Sequence, residues 1–285
     1  MMSEDASLLS RLAARFQKAS TDLIFVHSDI LGGFAVPRPT PFDRQAFLRT
    51  HFDTIAQLLP QWQLWFPAFN YTFPQSRAFD VLHDRSQVGH LAEFFRSEIA
   101  SWRTTVPVFS VSGTGSEPKL PQQMPLDAFG THSIFQQLVD RDGLIFNYGC
   151  DLSSLTFVHF CESLAEIPYR YPKRFAGTVT DARHVRSDIS VQFHVRPSEA
   201  MTYDWKRLEA DLKQNGILKT FCEDGRNFQL MQARELSKYW SSQLANDELF
   251  LLDEATRAWV EPKLQDLGRA FQIDDFESTE IAKHG

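Results

Sequence analysis

The chain has 285 residues and a net charge of −7, from 36 acidic and 29 basic side chains. A hydrophobic fraction of 43% and a charged fraction of 23% are typical of a globular protein with a real core, and they exclude disordered and fibrous classes. The acidic balance argues against a nucleic-acid backbone as the main partner, because such binders need a basic surface. Three cysteines and no CxxC pair exclude a disulfide framework and give no sign of a metal site.

The amino-terminal segment, MMSEDASLLSRLAARF, carries charges where a signal peptide would have its apolar run. No stretch of the sequence approaches 18 consecutive apolar residues, the length expected of a membrane-spanning helix. We therefore expect a cytoplasmic protein without a membrane partner.

Hydrophobic periodicity divides the first 166 residues into alternating helices and strands. Helices are predicted over 5–19, 43–58, 87–100, 132–140 and 154–166, the last capped by Ser153 or Ser154, and strands over 22–27, 64–69, 106–113 and 144–149. This alternation predicts an α/β fold with a central, mostly parallel or mixed sheet and helices on both faces, in three layers. Further on, the pattern predicts a strand over 189–195, helices over 204–214 and 233–246, and a polar tail over 276–285.

Short motifs with a known mechanism are missing from the sequence. It has no GxSxG elbow, no GxxxxGK[ST] phosphate loop, no HExxH and no GxGxxG between a strand and a helix. A serine hydrolase elbow, a P-loop, a zinc protease and a dinucleotide fold of the usual kind are therefore not indicated.

Polar side chains cluster where the predicted strands end. They lie in segments 27–33, 67–71, 109–113 and 149–162. Ligands of α/β proteins collect in the crevice beyond the carboxyl ends of strands. We therefore expect the imidazole, hydroxyl and carboxylate groups of these segments to line one site.

His159 and Glu162 are the strongest catalytic candidates. Their spacing of three residues places both side chains on one face of a helix. A carboxylate beside an imidazole orients the ring and raises its basicity, as a general base requires. The alternative is a core histidine bonded to a backbone carbonyl. Cys161 points elsewhere on the helix and is expected to be a buried, inert thiol.

The same segments, in the same order, resemble the antibiotic N-acetyltransferase family, best known from the aminoglycoside 3-N-acetyltransferases. HSDILGGF (27–34) is similar to the family's His-Ser-Ser/Asp turn, PAFNYTFP (67–74) to its "MPTFTY" segment, and SQVGHLAEFFR (86–96) to its "G-x-L-x-E-x-x-R" helix. Residues 129–162 match its run from "FG-x-x-S" to "T-x-x-H-x-x-E", and IPYRYPKRF (167–175) resembles the segment that follows. The resemblance spans residues 8–177.

The resemblance implies transfer of an acetyl group from acetyl-CoA, a co-substrate, to a primary amine of an aminoglycoside or other amino sugar, which would confer antibiotic resistance. It makes His159 the general base and Glu162 the residue that orients it, without a metal. We expect a single acetyltransferase domain over 1–275, with a motif-bearing core over 8–177 and a C-terminal part over 178–275 that carries no recognised motif. A homodimer is left open.

Contacts with the two substrates are assigned from the loops that carry the resemblance. Acetyl-CoA is expected to contact Ser28, Asp29, Gly33, Arg103, Thr104, Ser110 and Ser112, with Arg103 on a phosphate unless it is a surface residue. The amine substrate is expected to contact Asn70, Tyr71, Asp80 and Tyr169.

Two alternative functions are left open, and one departure from the family pattern supports the second of them. The family has Arg-Ser-x-His-Pro where this sequence has Arg103-Thr104-Thr105-Val106-Pro107, so a histidine is replaced by Val106. The first alternative is an acyltransferase that modifies a nucleotide-linked amino sugar for surface-polysaccharide assembly. The second is a degenerate protein that binds CoA or another ligand without turnover.

Overall fold

The protein is represented by a computed structural model that describes residues 3–17 and 19–277. The helices are α1 (Ser3–Phe16), α2 (Arg44–Leu58), α3 (Phe73–Ser76), α4 (His90–Glu98), α5 (Ile134–Asp140), α6 (Phe157–Leu164), α7 (Trp205–Gln214), α8 (Ala233–Asn246) and α9 (Glu254–Leu267). The strands are β1 (Leu23–Ser28), β2 (Gln63–Pro67), β3 (Ala78–Asp80), β4 (Trp102–Arg103), β5 (Val111–Gly113), β6 (Leu126–Asp127), β7 (Leu144–Tyr148), β8 (Tyr171–Thr180), β9 (Arg186–Val195), β10 (Lys219–Glu223) and β11 (Arg226–Gln232). Short 3₁₀ turns cover Leu152–Ser154 and Ile273–Asp275.

The main sheet has seven strands in the order β10-β11-β7-β1-β2-β5-β4. Its centre is parallel, because β1 pairs with β7 on one side and β2 on the other in the same direction. Antiparallel strands flank this centre: β11 against β7, and β5 against β2. The sheet is therefore mixed, as the sequence predicts.

Alternate residues of the central strands face two separate apolar clusters, as the period of two in a strand requires. Ile24 and Val26 of β1 pack into a cluster with α1, α2 and α4, whereas Leu23 and Phe25 pack into the other cluster with α5, α6 and α8. The sheet is thus covered on both faces. Within the described ranges, no helix is both long and apolar enough to cross a membrane.

A second sheet of four strands, in the order β3-β8-β9-β6, joins the cluster on the α6 side. Its centre is the ten-residue antiparallel hairpin of β8 and β9, in which Tyr171 pairs with Val195 and Thr180 with Arg186. The sequence predicted β9 but neither β8 nor this sheet. The hairpin places the beginning of β8 and the end of β9 beside the carboxyl-terminal half of α6.

Two segments differ from the sequence-based expectations in direction or length. The strand predicted over 106–113 is shortened to β5, and it runs antiparallel to β2, so Gly113 lies at the opposite edge of the sheet from Phe109. Val108, with a φ of 67°, interrupts the extended backbone before β5. The helix predicted from Ser153 or Ser154 begins only at Phe157, after a 3₁₀ turn whose amide is capped by Asp151.

Only the start of the tail predicted over 276–285 is described, and it is docked. The Phe276 ring stacks on Tyr171 with centroids 5.8 Å apart, and the Glu277 carboxylate accepts hydrogen bonds from the Tyr171 hydroxyl and the Lys173 ammonium. Residues 278–285 lie outside the described residues. The segment that follows α9 is thereby held against the beginning of β8.

Candidate active site

The candidate active site is built on α6, which carries both predicted catalytic side chains on one face. His159 Nδ1 lies 2.8 Å from Glu162 Oε2, so the predicted pair is formed. The helix follows β7 through the 3₁₀ turn, which sets it beyond the carboxyl end of that strand. The Phe129 ring meets the imidazole edge to face, with centroids 5.3 Å apart, and fixes its plane.

Glu162 is almost completely buried, with 1% of its side chain exposed, and four groups surround its carboxylate. Besides the imidazole, Tyr169 donates its hydroxyl to Oε1 at 2.9 Å and Tyr203 donates to the same oxygen at 2.7 Å. Arg170 Nε lies 3.0 Å from Oε2 as an ion pair without the alignment of a hydrogen bond, and its Nη2 donates to the Tyr203 hydroxyl at 2.6 Å. A buried charge needs such a set of partners.

These neighbours determine whether Glu162 and His159 are charged at neutral pH. Burial disfavours the Glu162 anion, but the Arg170 charge and the bonds from His159 and Tyr203 outweigh it and lower the pKa of Glu162 to about 2. Burial, together with the Arg170 charge, lowers the pKa of His159 below its ordinary value of 6.5, although Glu162 opposes this. At neutral pH the pair is therefore a carboxylate beside a neutral imidazole.

The hydrogen-bond pattern also decides which imidazole nitrogen carries the proton. An ionised carboxylate only accepts, so His159 Nδ1 donates its hydrogen to Glu162 Oε2. Nε2 is then the unprotonated nitrogen with a free lone pair. Because 29% of the His159 side chain is exposed, this nitrogen has access to a ligand. A neutral, oriented imidazole of this kind has the properties that a general base requires.

His159 lines a cleft of about 590 Å³, the His159 cleft, which also receives Arg170, His194, Arg196, Glu199 and Tyr203. A second and larger cleft, about 1210 Å³, opens beyond the ends of β1 and β2 and is named here the His27 cleft. The two clefts share Ser153, Ser154 and Thr156, at the entry to α6. Two ligands can therefore meet next to His159.

The predicted Ser28–Gly33 turn lies at the His27 cleft, as expected for the end of β1. Ser28 and Asp29 line this cleft. Ser28 Oγ is buried and has no partner among the described residues, and Asp29 Oδ1 accepts from the Leu31 amide. Gly33 instead packs on Tyr148, where an added Cβ would lie 2.3 Å from the ring. His27 Nε2 is also buried without a partner in the described structure, and burial lowers the pKa of His27 to about 3.

Glycines let this turn approach the loop after β7. A Cβ on Gly32 would lie 2.1 Å from the carbonyl oxygen of Gly149, which itself has a φ of 75°. Both positions therefore need glycine, because any side chain would push the two loops apart. The glycines of the HSDILGGF motif thus have a structural role in closing the edge of the sheet.

The sequence places Arg103 either on a CoA phosphate or on the surface, whereas in the structure its guanidinium is enclosed by the protein. It is only 6% exposed, and its guanidinium donates to Ser110 Oγ, Val81 O, Asp84 O and Ala68 O. These bonds hold together the loops that follow β2, β3 and β4. The arrangement favours a structural role over a contact with a CoA phosphate, and it excludes a solvated surface residue.

Three further residues predicted to contact acetyl-CoA through their hydroxyls are also buried. Thr104 Oγ1 accepts from the Val111 amide, Ser110 Oγ donates to Ala68 O, and Ser112 Oγ is buried with no partner in the described structure. None of them lines the His159 or the His27 cleft. All three hydroxyls are therefore enclosed within the protein.

The four residues predicted to contact the amine substrate are not brought together. Tyr71 is half-exposed and lines the His27 cleft. Asn70 is buried and bonds Arg85 O and Thr72, while Asp80 accepts from the Leu82 and His83 amides on the second sheet. Tyr169 reaches the site, but as a fully buried partner of Glu162.

Two residues of the site were not assigned from the sequence. Arg170 lies inside the IPYRYPKRF segment and directly follows the assigned Tyr169, and this position is the sequence feature that could have identified it. Tyr203 lies between β9 and α7, 44 residues from His159, and no local pattern announces it. Val106, which replaces the family histidine, is 8% exposed and faces a separate cavity of about 200 Å³. Val106 itself does not line the His159 cleft, whereas Phe109 lines both cavities.

A metal centre is not indicated within residues 3–17 and 19–277, because no three histidine, cysteine or acidic side chains there converge on one point. Burial raises the pKa of the Cys150 thiol to about 12 and that of Cys161 still further. Both cysteines are accordingly protonated and unreactive at neutral pH.

One family model and several solved structures are similar to this chain. A family model described as aminoglycoside 3-N-acetyltransferase matches residues 50–245. A solved structure of AAC-IIIb with CoASH has a TM-score of 0.66 at 20% identity, covering 85% of this chain and 96% of that chain. Apo AAC(3)-IVa gives a TM-score of 0.63 at 17% identity over 86% and 91% of the two chains. Sisomicin-bound AAC-VIa gives 0.64 at 16% identity over 84% and 97%.

No protein in the curated set matches the chain. At these identities the solved structures show a common fold, whereas the family model spans well over half of the sequence. Its range includes α6 with His159 and Glu162, the beginning of β8 with Arg170, and Tyr203. The chain therefore belongs to the aminoglycoside 3-N-acetyltransferase family.

Proposed function

We propose that the protein transfers an acetyl group from acetyl-CoA to a primary amine of an amino sugar, with His159 as the general base. The observation that carries the proposal is the neutral imidazole, oriented by a buried carboxylate, at the junction of two clefts. Aminoglycosides are the first acceptors to test, because AAC-VIa and AAC(3)-IVa structures hold sisomicin, apramycin and gentamicin.

The His27 cleft suits the acetyl donor. It is the larger of the two clefts, and a structural neighbour, AAC-IIIb, was solved with CoASH. His27 Nε2 and Ser28 Oγ are buried at its wall and have no partner in the described part of the chain, so a ligand with amide groups would satisfy them. A pantetheine arm has such amides, and its thioester would reach Thr156 at the shared end of the clefts.

The reaction needs one proton acceptor and one site for developing negative charge. The neutral amine nitrogen forms a bond to the thioester carbonyl carbon while His159 Nε2 takes one proton from that nitrogen. The carbon–sulfur bond breaks, and the CoA sulfur leaves with a proton returned from the imidazolium. At the entry to α6 the Val158 and His159 amides already donate to Leu155 O and Thr156 O, so among the described residues the Thr156 and Phe157 amides are the candidates to stabilise the carbonyl oxygen as it gains charge.

The partners of Glu162 act through orientation. The carboxylate keeps the proton on His159 Nδ1 and stabilises the imidazolium as it forms. Burial holds the pKa of the Tyr169 and Tyr203 hydroxyls well above 10, so both stay protonated and keep donating to the carboxylate. The positive charge of Arg170 balances the negative charge of the Glu162 carboxylate. We therefore describe Tyr169, Arg170 and Tyr203 as positioning residues.

A nucleotide-linked amino sugar is a second candidate acceptor, and Arg196 is the observation that favours it. Arg196 is exposed and lines the His159 cleft, and its charge adds to the lowering of the pKa of His159. Within the described residues its guanidinium makes one hydrogen bond, to Met201 O at 3.4 Å. A phosphate beside the acceptor amine would complement this charge, whereas a polycationic aminoglycoside would not.

The test is release of CoA thiol from acetyl-CoA with a panel of aminoglycosides and nucleotide amino sugars, for wild type and His159→Ala. The variant should lose about 10²–10⁴-fold in turnover and still bind acetyl-CoA, since a general base contributes about that much. His184→Ala, an exposed histidine at the β8–β9 turn, is the matched control and should be unchanged.

Three results would contradict parts of the proposal. Full turnover by His159→Ala would remove the base assignment. Binding of acetyl-CoA without thiol release across the whole panel would place the acceptor in another chemical class. No binding of acetyl-CoA at all would favour the degenerate binding protein.

A further inference from the structure

A small apolar cavity adjoins the His159 cleft and is not used by the reaction described above. This Val106 cavity, of about 200 Å³, is enclosed by parts of segments 120–128 and 132–134, together with Val106 and Phe109. Most of its wall is apolar, and Leu126 and Ile134 line it as buried residues. A dry cavity of about 150 Å³ with such a lining accepts benzene. The Val106 cavity therefore has room for a chain of several carbon atoms.

Phe109 lies where this cavity meets both clefts. It lines the Val106 cavity and the His159 cleft. Its ring centroid lies 4.6 Å from that of Phe129 and 4.9 Å from that of Phe193, and both of these rings line the His159 cleft. On another side it lies 5.4 Å from Phe69 and 6.3 Å from Tyr71, which line the His27 cleft. The half-buried Phe109 ring is therefore a shared wall of the three spaces.

A strained turn holds Phe109 in this position. Val108 has a φ of 67°, a conformation that a β-branched residue rarely adopts. The Phe109 amide donates to Pro107 O at 2.8 Å and closes a three-residue γ-turn, which is strained at positive φ. The Asn70 amide donates to Val108 O at 3.0 Å and fixes the turn from the neighbouring loop. Backbone strain that the surroundings maintain in this way is concentrated at functional sites.

The wall stands close to the reacting atoms. The Phe129 ring contacts Phe109 on one side and the His159 imidazole, at 5.3 Å, on the other. During transfer the carbonyl carbon of the donor lies beside His159 Nε2, and an acetyl group extends from it by one methyl. A longer chain has two paths: into the His159 cleft, where it takes the place of the acceptor, or past Phe109 into the Val106 cavity. The Phe109 ring blocks the second path.

We propose that Phe109 determines the length of the acyl group, because its ring closes the Val106 cavity and restricts the donor to acetyl or a similarly short acyl-CoA. The inference rests on the proposed function, since it takes an acyl-CoA thioester as the donor. The same carbon–nitrogen bond forms and the same carbon–sulfur bond breaks as described above, and only the chain on the carbonyl carbon differs. Phe109 is thus a specificity-determining residue.

The test compares acetyl-CoA with hexanoyl-CoA, whose chain has four more carbon atoms, in wild type and Phe109→Ala. Thiol release is measured with whichever acceptor of the panel above is fastest. The ratio of kcat/KM for hexanoyl-CoA to that for acetyl-CoA should rise by about tenfold or more in the variant, because a methylene in an apolar pocket is worth about 10–200-fold. Calorimetry gives a second readout that needs no acceptor: the ratio of the two affinities should rise in the same direction.

Two further variants separate the cavity from a general loosening of the site. Adding Val106→Phe to Phe109→Ala refills the cavity from its other wall and should return both ratios toward wild type. Phe221→Ala is the matched control, because Phe221 is also half-buried but lies on the edge strand β10 and lines neither the cavity nor the two clefts. If Phe109→Ala does not fold, Phe109→Leu should give a smaller rise.

Several results would overturn the inference while leaving acetyl transfer intact. These are equal use of hexanoyl-CoA and acetyl-CoA by wild type, unchanged ratios in the Phe109 variants, and a rise that Val106→Phe does not reverse. A changed ranking of acceptors with an unchanged acyl preference would assign the cavity to the acceptor instead. Failure of wild type to bind acetyl-CoA at all would overturn the proposed function, and the inference with it.

Discussion

Replacing Glu162 with glutamine is the most informative perturbation of the site, because it removes one charge and almost no volume. The ordinary pKa of 4.5 falls to about 2 in the folded protein. This difference corresponds to about 3 kcal/mol in the free energy of unfolding at neutral pH. With 1% of the side chain exposed, solvent does not screen the effect. Glu162→Gln should therefore lose about 3 kcal/mol, or about 5 °C in Tm for a chain of this size.

The sign of the effect fixes its pH dependence. Because folding lowers the pKa of Glu162, the carboxylate stabilises the protein above pH 4.5, and this contribution is lost as the pH falls toward 2. The stability difference between wild type and Glu162→Gln should therefore be constant from pH 6 to 8 and shrink below pH 4.5. Activity should fall by about 10²-fold, since the imidazole loses its orienting anion.

The assays are thermal unfolding across this pH range and thiol release by the folded variant. Asp247→Asn is the control for a carboxylate paired at the surface: it removes the bond to Arg257, with 37% of Asp247 exposed, and should cost about 1 kcal/mol or less. Adding Arg170→Met to Glu162→Gln should recover part of the stability, by removing an unpaired buried charge, but none of the activity. A Glu162→Gln variant as stable and as active as wild type would refute the reasoning.

Two further predictions concern the base and the buried arginine. Burial and the Arg170 charge lower the pKa of His159, so the acid limb of kcat/KM should lie below pH 6.5; a limb above 6.5 would contradict the environment described. Arg103→Met should cost about 3 kcal/mol in unfolding free energy, because a buried guanidinium with four bonds is lost, while the folded protein binds acetyl-CoA with unchanged affinity. Weaker acetyl-CoA binding with unchanged stability would instead support a contact between Arg103 and a phosphate of acetyl-CoA.

The sequence predicts those parts of the structure that depend on local spacing. The pairing of His159 with Glu162 follows from helical geometry, and the mixed sheet follows from the alternation of strands and helices. The end of β1 at Ser28 also follows, because the apolar run stops there. In each case neighbours in the sequence are neighbours in space, so the pattern contains the contact.

Features that depend on distant pairing were not predictable in the same way. The direction of β5 is decided by its partner β2, and nothing within residues 106–113 encodes it. The placement of Arg103 depends on carbonyl groups from two loops and on the Ser110 hydroxyl from a third, which the sequence does not bring together. Strand β8 was missed because Pro172 and Gly177 weaken its pattern, although its pairing with β9 stabilises it.

The groups that donate hydrogen bonds to the Glu162 carboxylate come from parts of the chain that are synthesised at different times. Tyr203 is the last of them, and it is held by a β-bridge to Leu252, while the next residue, Asp204, donates its amide to Leu251 O. A nascent chain therefore carries every recognisable motif long before the donors around Glu162 are in place. Catalytic competence should appear only once residues near 252 have left the ribosome and docked, which makes turnover a reporter of late folding rather than of the motif-bearing half.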